Sequence, residues 1–203
     1  MRLQSGPELI LASQSPYRAG LLGSAGLRFT AMPAYIDEAA TKRIAQTERW
    51  TPDACALSLA RQKAAKIAGD HHDALVIGAD QLLVCGDDWF DKPNDLDGAR
   101  GHLQRLRGRS HVLVTAIVVM HRGAEVWHHI ARPTLTMRVF SDAFLEAYLA
   151  EEADHLTTTV GAYRLEGPGM QLFETIEGDH SAIIGLPLLP LFKFLQSYAI
   201  LPT

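Results

Sequence analysis

The order of apolar and polar positions along the chain predicts strands that alternate with helices. Residues 9–12 form a short, wholly apolar run that is typical of a buried strand. Ser15 and Pro16 then favour a helix start, because serine suits the N-cap and proline suits the first helical position. Gly26 predicts the end of that helix, and residues 27–32 are expected to form a second strand.

The same pattern continues through the rest of the chain. Thr51 and Pro52 repeat the helix-start signal, and the apolar positions after them recur at helical spacing. Next we expect a strand over 74–78 that leads to Asp80, a hairpin turn at 86–88, and a helix from Asn94 or Asp95 to Leu106 that Gly108 closes. An antiparallel pair of strands over 112–120 and 126–140 and an amphipathic helix over 141–150 are expected after it. The last expected elements are two strands joined by a glycine loop over 160–176 and a closing helix over 190–198.

Strands that alternate with helices and long hairpins indicate an α/β fold with a mixed sheet. At 203 residues the chain is expected to form a single domain, 1–203. Its net charge is −4 without blocks of like charge, which argues against nucleic-acid or anionic-membrane partners. The two cysteines suit a reducing compartment, and no apolar run approaches the ~20 residues of a membrane helix. We therefore expect a soluble, cytoplasmic protein.

Several common catalytic motifs are absent from the sequence. It contains no GxSxG, GxxxxGK[ST], HExxH or paired CxxC segment, which removes the usual hydrolase, P-loop and zinc signatures. The histidine pairs at 71–72 and 128–129 lack helical ligand spacing, so zinc is not expected. A serine hydrolase built on Ser13 or Ser15 would need a base within hydrogen-bond reach, and no motif supplies one.

The segment LILASQSPYR carries the first positive signal. An apolar strand leads directly into a helix whose start holds Ser13, Ser15 and Arg18. The unpaired N–H groups and the positive dipole end of such a helix suit a phosphate group, and the hydroxyls and guanidinium add donors. A plain Ser-Pro cap with a solvated arginine is the alternative.

Four further charged positions could take part in chemistry. Asp80 ends the apolar strand in VIGADQ, where α/β proteins often place functional carboxylates, and it could hold a metal or accept a proton. An aspartate that merely starts a turn is the alternative. Glu38 follows a strand in YIDE, and Lys92 precedes a proline in FDKPN. Lys63 lies on an otherwise apolar helix and could equally face solvent.

Taken together and in order, these segments resemble the Maf family of nucleoside triphosphate pyrophosphatases. The matching segments are LILASQSPYR, PAYIDE, LARQKA, IGADQ, DKP, LRGRSH, VTAIVV, VGAYRLEGPG and IEGDHSAIIGLPL. The resemblance implies an elongated mixed sheet flanked by helices, with two lobes and a central cleft, as in the ITPase-like fold. It also implies hydrolysis between the α and β phosphates, giving a monophosphate and pyrophosphate, with a divalent metal (Mg²⁺ or Mn²⁺).

The resemblance assigns roles to individual residues. Ser13, Ser15 and Arg18 match the phosphate-binding SxSPxR segment. Asp80 matches the catalytic aspartate, the base for the attacking water. Glu38 matches the glutamate of the family's DIDE-like motif. Lys63 matches its helical lysine, and Lys92 matches the lysine of GKP. Both carboxylates, Glu38 and Asp80, are expected near the metal, and which of them takes the proton is left open.

Three further positions imply a base preference. The chain resembles the subgroup similar to 7-methyl-GTP pyrophosphatases, which shows an aromatic residue, Gln and Glu at three selectivity positions. This chain has Tyr17, Gln81 and Glu166 there. A cationic base over an aromatic face gains about 0.5–2 kcal/mol, and Glu166 could accept hydrogen bonds from guanine. We expect turnover of 7-methyl-GTP or related modified nucleotides. The alternatives are a dTTP- or UTP-preferring enzyme, and a packing role for Tyr17 with Glu166 as a surface charge.

A non-catalytic, nucleotide-binding regulator of septum formation is the alternative from another functional class. It would be favoured by loss of a catalytic residue, but the matching positions all carry the expected side chain. A homodimer formed through exposed strands of the long hairpin is left open.

Overall fold

The computed structural model describes residues 6–201, and strands and helices alternate along them. In the first half of the chain the elements are β1 (Leu9–Ala12), α1 (Pro16–Ser24), β2 (Thr30–Ala31), α2 (Glu38–Thr47), α3 (Pro52–Ala68), β3 (Leu75–Cys85), β4 (Asp88–Phe90) and α4 (Leu96–Leu106). In the second half they are β5 (Ser110–His121), β6 (Ala124–Ala131), β7 (Thr134–Met137), α5 (Asp142–Glu151), a 3₁₀ helix (Pro168–Leu172), β8 (Phe173–Glu177), α6 (His180–Ile184) and α7 (Leu188–Gln196).

Local capping signals explain where the predicted helices begin. The side chain of Ser15 accepts a hydrogen bond from a backbone N–H of the first turn of α1, and Thr51 does the same for α3. Asp95, one of the two predicted caps, serves α4, and Ser141 serves α5. The predictions of these helices, of the strand over 9–12 and of the hairpin turn after β3 are confirmed.

Other predicted elements are wrong in extent or kind. The strand expected over 27–32 is reduced to the two residues of β2. The strand expected over 126–140 is two strands, β6 and β7, on either side of Pro133, which has no N–H for a sheet ladder. The strand expected at the start of 160–176 is also wrong, because turns precede the 3₁₀ helix there. Helices α2 and α6 lie where the sequence pattern predicts no helix.

The sheet is mixed, as predicted, and helices flank it, so the α/β fold class is confirmed. Strand β1 pairs in parallel with both β2 and β3. Four further pairs of strands are antiparallel: β3 with β4, β5 with β6, β5 with β7 and β7 with β8. None of the helices within residues 6–201 has the length and apolarity that a membrane crossing requires.

The chain divides into two compact units. The first unit contains the described residues up to 80, residues 115–131 and the described residues from 179 onward. Its core is formed by the apolar side chains of β1, β3, β5 and the helices α1 and α7, including Leu11, Ile77 and Leu191. The second unit contains residues 81–114 and 132–178, and its buried side chains include Leu103 and Leu145.

Candidate active site

The start of α1 forms one part of the candidate site, in the first unit. Ser13 follows the buried strand β1 and is itself nearly buried. Its hydroxyl oxygen accepts a hydrogen bond from the N–H of Ser15 at 3.2 Å, and the hydroxyl oxygen of Ser15 accepts one from the N–H of Arg18 at 3.4 Å. Two hydroxyl groups are thus held at the positive end of a nine-residue helix, an arrangement that suits an anionic group.

Arg18 is held in place by three hydrogen bonds. Its Nε donates to the carbonyl of Gly185 at 2.9 Å, and its Nη1 donates to the carbonyl of Ala79 at 2.9 Å and to the hydroxyl of Ser13 at 3.3 Å. The alternative of a solvated arginine is therefore wrong. The guanidinium links the start of α1 to the residue that directly precedes Asp80 in the chain.

Lys63 connects two carboxylates at the centre of the candidate site. Its Nζ lies 2.6 Å from Oδ1 of Asp80 and 2.8 Å from Oε1 of Glu38. The side chains of Lys63 and Asp80 are only 9% and 6% exposed, whereas that of Glu38 is 44% exposed. The alternative of a solvent-facing Lys63 is therefore wrong, and this lysine joins a buried acid to an accessible one.

A close contact between a strand and a helix brings Lys63 to Asp80. A Cβ atom added to Gly78 on β3 would clash with the carbonyl of Ala60 and lie 2.7 Å from the backbone N of Ala64. Glycine on the strand and alanines on the helix allow the two backbones to approach so closely. The contact lies two residues before Asp80 on the strand and one residue from Lys63 on the helix.

The capping pattern of α2 places Glu38. Asp37 is the N-cap, and its Oδ1 accepts a hydrogen bond from the N–H of Ala40 at 2.8 Å. Glu38 is therefore the first residue of the helix, where a carboxylate is favoured by the helix dipole. An N-cap aspartate followed by a run of helix formers was the available sequence signal for α2.

Neighbouring charges lower the pKa of Glu38, and burial lowers that of Arg18. Desolvation by itself would raise the pKa of Glu38, but the charge and hydrogen bond of Lys63, together with Lys42 and Arg18, hold it below the ordinary value. Burial lowers the pKa of Arg18, while Asp80 and Glu38 act in the opposite direction. An arginine nevertheless keeps its proton at neutral pH, so both groups are ionised.

One carboxylate oxygen in this group has no partner. Within the described residues, Oδ2 of Asp80 is buried and makes no hydrogen bond. A buried acceptor of this kind costs free energy unless a water, a proton or a cation meets it. The unpartnered oxygen is the observation that distinguishes this cluster from a purely structural ion pair.

The donor set at this position fits a hard divalent cation. Within residues 6–201 no group of three or more His, Cys, Asp and Glu side chains could hold a metal alone. Mg²⁺, however, is commonly bound by one or two carboxylates together with waters and substrate phosphates, and Mn²⁺ takes the same oxygen ligands. The unpartnered oxygen of Asp80 and the half-exposed carboxylate of Glu38 match that requirement.

The remaining predicted site residues lie elsewhere in the fold. Tyr17 is half-buried in the first turn of α1, in the first unit. Gln81 is half-buried and directly follows Asp80 on β3, but it belongs to the second unit, as do Lys92 and Glu166. Lys92 is exposed after β4, and Glu166 is exposed in the turns before the 3₁₀ helix.

The sequence interpretation missed the support for Arg18. Gly185, whose carbonyl accepts from Arg18, is the C-cap of α6, and Asp179 is the N-cap of that helix. The hydroxyl of Ser181 donates to Oδ2 of Asp179 at 2.8 Å and accepts from the N–H of Leu188 at 2.9 Å. The sequence signal for α6 was an aspartate before its first residue and a glycine after its last. The helix between these two caps has only five residues.

Comparison with known proteins finds one family model and several relatives that match almost the whole chain. A family model described as Maf-like protein matches residues 8–198. A nucleoside triphosphate pyrophosphatase of Rhodospirillum rubrum is 49% identical over 195 residues, which are 96% of this chain and 96% of that protein. A 7-methyl-GTP pyrophosphatase of Rhizobium johnstonii is 47% identical over 190 residues, which are 94% of this chain and 96% of that protein.

Among solved structures, a nucleoside-triphosphatase (dITP/XTP pyrophosphatase) of Mycobacterium abscessus covers 96% of this chain and 98% of its own, with a TM-score of 0.44 and 15% identity.

Proposed function

The chain belongs to the Maf family and is therefore a nucleoside triphosphate pyrophosphatase, and we propose that its preferred substrate is 7-methyl-GTP or a related modified nucleotide. The reaction breaks the anhydride between the α and β phosphates and releases a nucleoside monophosphate and pyrophosphate. The observation that carries the mechanism is the unpartnered Oδ2 of Asp80, buried beside Lys63.

The start of α1 is proposed to bind the polyphosphate. A triphosphate brings about four negative charges, which the helix dipole and nearby cations can offset. Ser13 and Ser15 each keep a hydroxyl proton to donate, since the hydrogen bonds described above use their oxygens as acceptors from the backbone. Arg18 adds a fixed positive charge, and the family resemblance assigns Lys92 as a further cation.

Asp80 is proposed to act as the general base. Its Oδ2 takes a proton from a water molecule as the water oxygen bonds to phosphorus at the α–β bridge, and the bridging P–O bond breaks. The electron pair of that bond leaves with the departing pyrophosphate, and the water oxygen remains on the nucleoside monophosphate. Lys63 donates a hydrogen bond to Oδ1, so Oδ2 is the oxygen left to meet the water.

Glu38 is proposed to hold a divalent cation, Mg²⁺ or Mn²⁺, in the neighbourhood of Asp80, whose one unpartnered oxygen serves as the base. When bound, the cation neutralises phosphate charge and polarises the P–O bonds under attack. Glu38 suits the role because Lys63 keeps its pKa low, so its carboxylate is ionised across the neutral range. Its half-exposed side chain also leaves one oxygen within reach of solvent and substrate.

The base preference is proposed from three residues and from the names of relatives. Several relatives of 45–47% identity are 7-methyl-GTP pyrophosphatases, and others of similar identity are named only as nucleoside triphosphate pyrophosphatases. The family resemblance assigns the base preference to these residues, and the aromatic ring of Tyr17 and the hydrogen-bonding groups of Gln81 and Glu166 are of the kinds that suit a cationic purine. Hydrolysis of such nucleotides in the cytoplasm would remove them before polymerases use them.

The first experiment measures pyrophosphate release from GTP, 7-methyl-GTP, UTP and dTTP with Mg²⁺ or Mn²⁺. We expect the highest kcat/KM on 7-methyl-GTP. Asp80→Asn should lower kcat on every substrate by about 10²–10⁴-fold, the range of a lost general base. Asp73→Asn is the matched control, because Asp73 is an exposed aspartate of the same unit.

Two outcomes would contradict the proposal at different levels. A preference for UTP or dTTP would keep the pyrophosphatase and refute the assignment of the base. Nucleotide binding without turnover, unchanged in Asp80→Asn, would instead support the regulator alternative.

A further inference from the structure

The segment between α5 and the 3₁₀ helix lacks regular structure but is fixed by side chains. The hydroxyl of Tyr148 donates to the carbonyl of Ala162 at 3.1 Å, and the hydroxyl of Thr159 donates to the carbonyl of Tyr163 at 2.8 Å. Nε2 of His111 lies 2.7 Å from the hydroxyl of Tyr163. These contacts take the place of the backbone ladder that a helix or strand would provide, and they tie the loop to α5 and β5.

An ion pair with two hydrogen bonds joins the segment to Glu152 at the end of α5. Arg164 donates from Nε to Oε2 of Glu152 at 2.6 Å and from Nη2 to Oε1 at 3.0 Å. The side chain of Glu152 is only 3% exposed. Two parallel hydrogen bonds between a guanidinium and a carboxylate fix orientation as well as distance. Neither residue is part of the catalytic cluster in the first unit.

The backbone folds closely around this ion pair. A Cβ atom added to Gly167 would lie 3.3 Å from Nε and Nη2 of Arg164 and 3.3 Å from Oε1 of Glu152. A Cβ atom added to Gly169 would clash with the carbonyl of Arg164 and lie 3.0 Å from its backbone N. The turn over 164–169 is therefore wrapped around the Arg164 side chain and backbone.

Glu166 occupies the exposed position of that turn. Its neighbour Leu165 is buried, and so is Gly169, whereas Glu166 is exposed. The turn is thus anchored from beneath and presents one carboxylate outward. A side chain that reads a base needs such a fixed backbone, because small displacements weaken a directional hydrogen bond.

We propose that Glu152 is a positioning residue for substrate specificity, which acts through Arg164 to fix the turn that presents Glu166. The inference rests on the proposed role of Glu166 in base recognition. Glu152 has a second effect, because it neutralises Arg164 two positions before Glu166 in the chain.

The test compares the kinetics of Glu152→Gln with those of the wild-type protein on 7-methyl-GTP and UTP. We expect KM for 7-methyl-GTP to rise about ten-fold, the size of one lost charged hydrogen bond, with kcat and the UTP parameters within about two-fold. Glu151→Gln is the matched control, since it removes the same charge at the adjacent, exposed position. It should change neither substrate's parameters.

A double-mutant cycle separates positioning from general stability. If Glu152 acts through Glu166, adding Glu152→Gln to Glu166→Gln should not lower discrimination further. Should Glu152→Gln not fold, Arg164→Lys keeps the charge, replaces the two-point contact and should show the same loss of discrimination.

The outcomes distinguish this inference from the proposed function. Equal losses on both substrates, or additive losses in the cycle, would reduce Glu152 to a stabilising residue and overturn the inference alone. Unchanged discrimination in the single variant Glu166→Gln would refute the base-reading role itself, and the inference would fall with it.

Discussion

Lys63 and Asp80 form an ion pair of 2.6 Å in which both side chains are almost completely removed from solvent. Burying two charges is costly, and their mutual attraction offsets that cost only when geometry and further hydrogen bonds are favourable. Here Lys63 also reaches Glu38, but Oδ2 of Asp80 is left without a partner within the described residues. The cluster is therefore arranged for a task other than maximum stability.

Replacement of Lys63 by methionine should harm both folding and catalysis. The variant removes the ion-pair partner of the buried Asp80, which costs about 3–5 kcal/mol of the free energy of unfolding. We expect pyrophosphate release to fall at least 10²-fold, because the base loses the group that orients it. Urea unfolding and steady-state kinetics measure the two effects. Lys66→Met, an exposed lysine on the same helix, is the control and should alter neither quantity strongly.

Removal of divalent metal tests the two carboxylates. Chelation with EDTA should abolish pyrophosphate release, and added Mg²⁺ or Mn²⁺ should restore it. Glu38→Gln should raise the metal concentration needed for half-maximal activity by about ten-fold or more, since a neutral amide is a weaker ligand for a hard cation. Glu174→Gln, an exposed position of the second unit, serves as the control. Full activity in EDTA would refute the metal assignment.

Gly78→Ala tests the close contact between β3 and α3. The added methyl group overlaps the backbone of α3, which must move away and carry Lys63 with it. Overpacking of this kind costs about 1–3 kcal/mol in the free energy of unfolding, and the shift should also lower kcat. Gly101→Ala is the contrasting variant, because it meets no atom within 4 Å in a helix and should stabilise slightly. Unchanged stability and activity in Gly78→Ala would show that the contact does not position Lys63.

His111 should make the protein less stable in mild acid. Burial lowers the pKa of His111 from 6.5 to about 4 in the folded chain, whereas the unfolded chain keeps the ordinary value. Between pH 6.5 and pH 4 the unfolded state therefore binds the additional proton, so the free energy of unfolding falls as the pH falls. The full shift corresponds to roughly 3 kcal/mol.

The measurement for His111 is urea unfolding from pH 7 to pH 4.5. In His111→Gln the free energy of unfolding should fall less steeply between pH 6.5 and 4.5, because the imidazole that takes up the proton is gone. His72→Gln removes an exposed histidine and should leave the slope unchanged. The same slope in wild type and in His111→Gln would assign the acid sensitivity to other groups.

Several local features were predictable because their causes are local. A serine or threonine before a proline specifies a helix start through a side chain that bonds the first turn, as Ser15 and Thr51 do. A wrong prediction arose where side chains from other elements determine whether a segment forms a strand. The turns over 152–167, where a strand was expected from residue 160, are held by the side chains of Tyr148 on α5 and His111 on β5.

By itself, the sequence determined the α/β class, the caps of the main helices and the types of charged residue at the candidate site. Only the tertiary structure decided that Lys63 is buried between Glu38 and Asp80, since this depends on how closely β3 packs on α3 at Gly78. The same holds for Arg18, whose carbonyl partners come from β3 and the end of α6. Propensity and capping act over a few neighbouring residues, whereas burial and ion pairing join residues that are far apart in the chain, and only the folded chain brings those together.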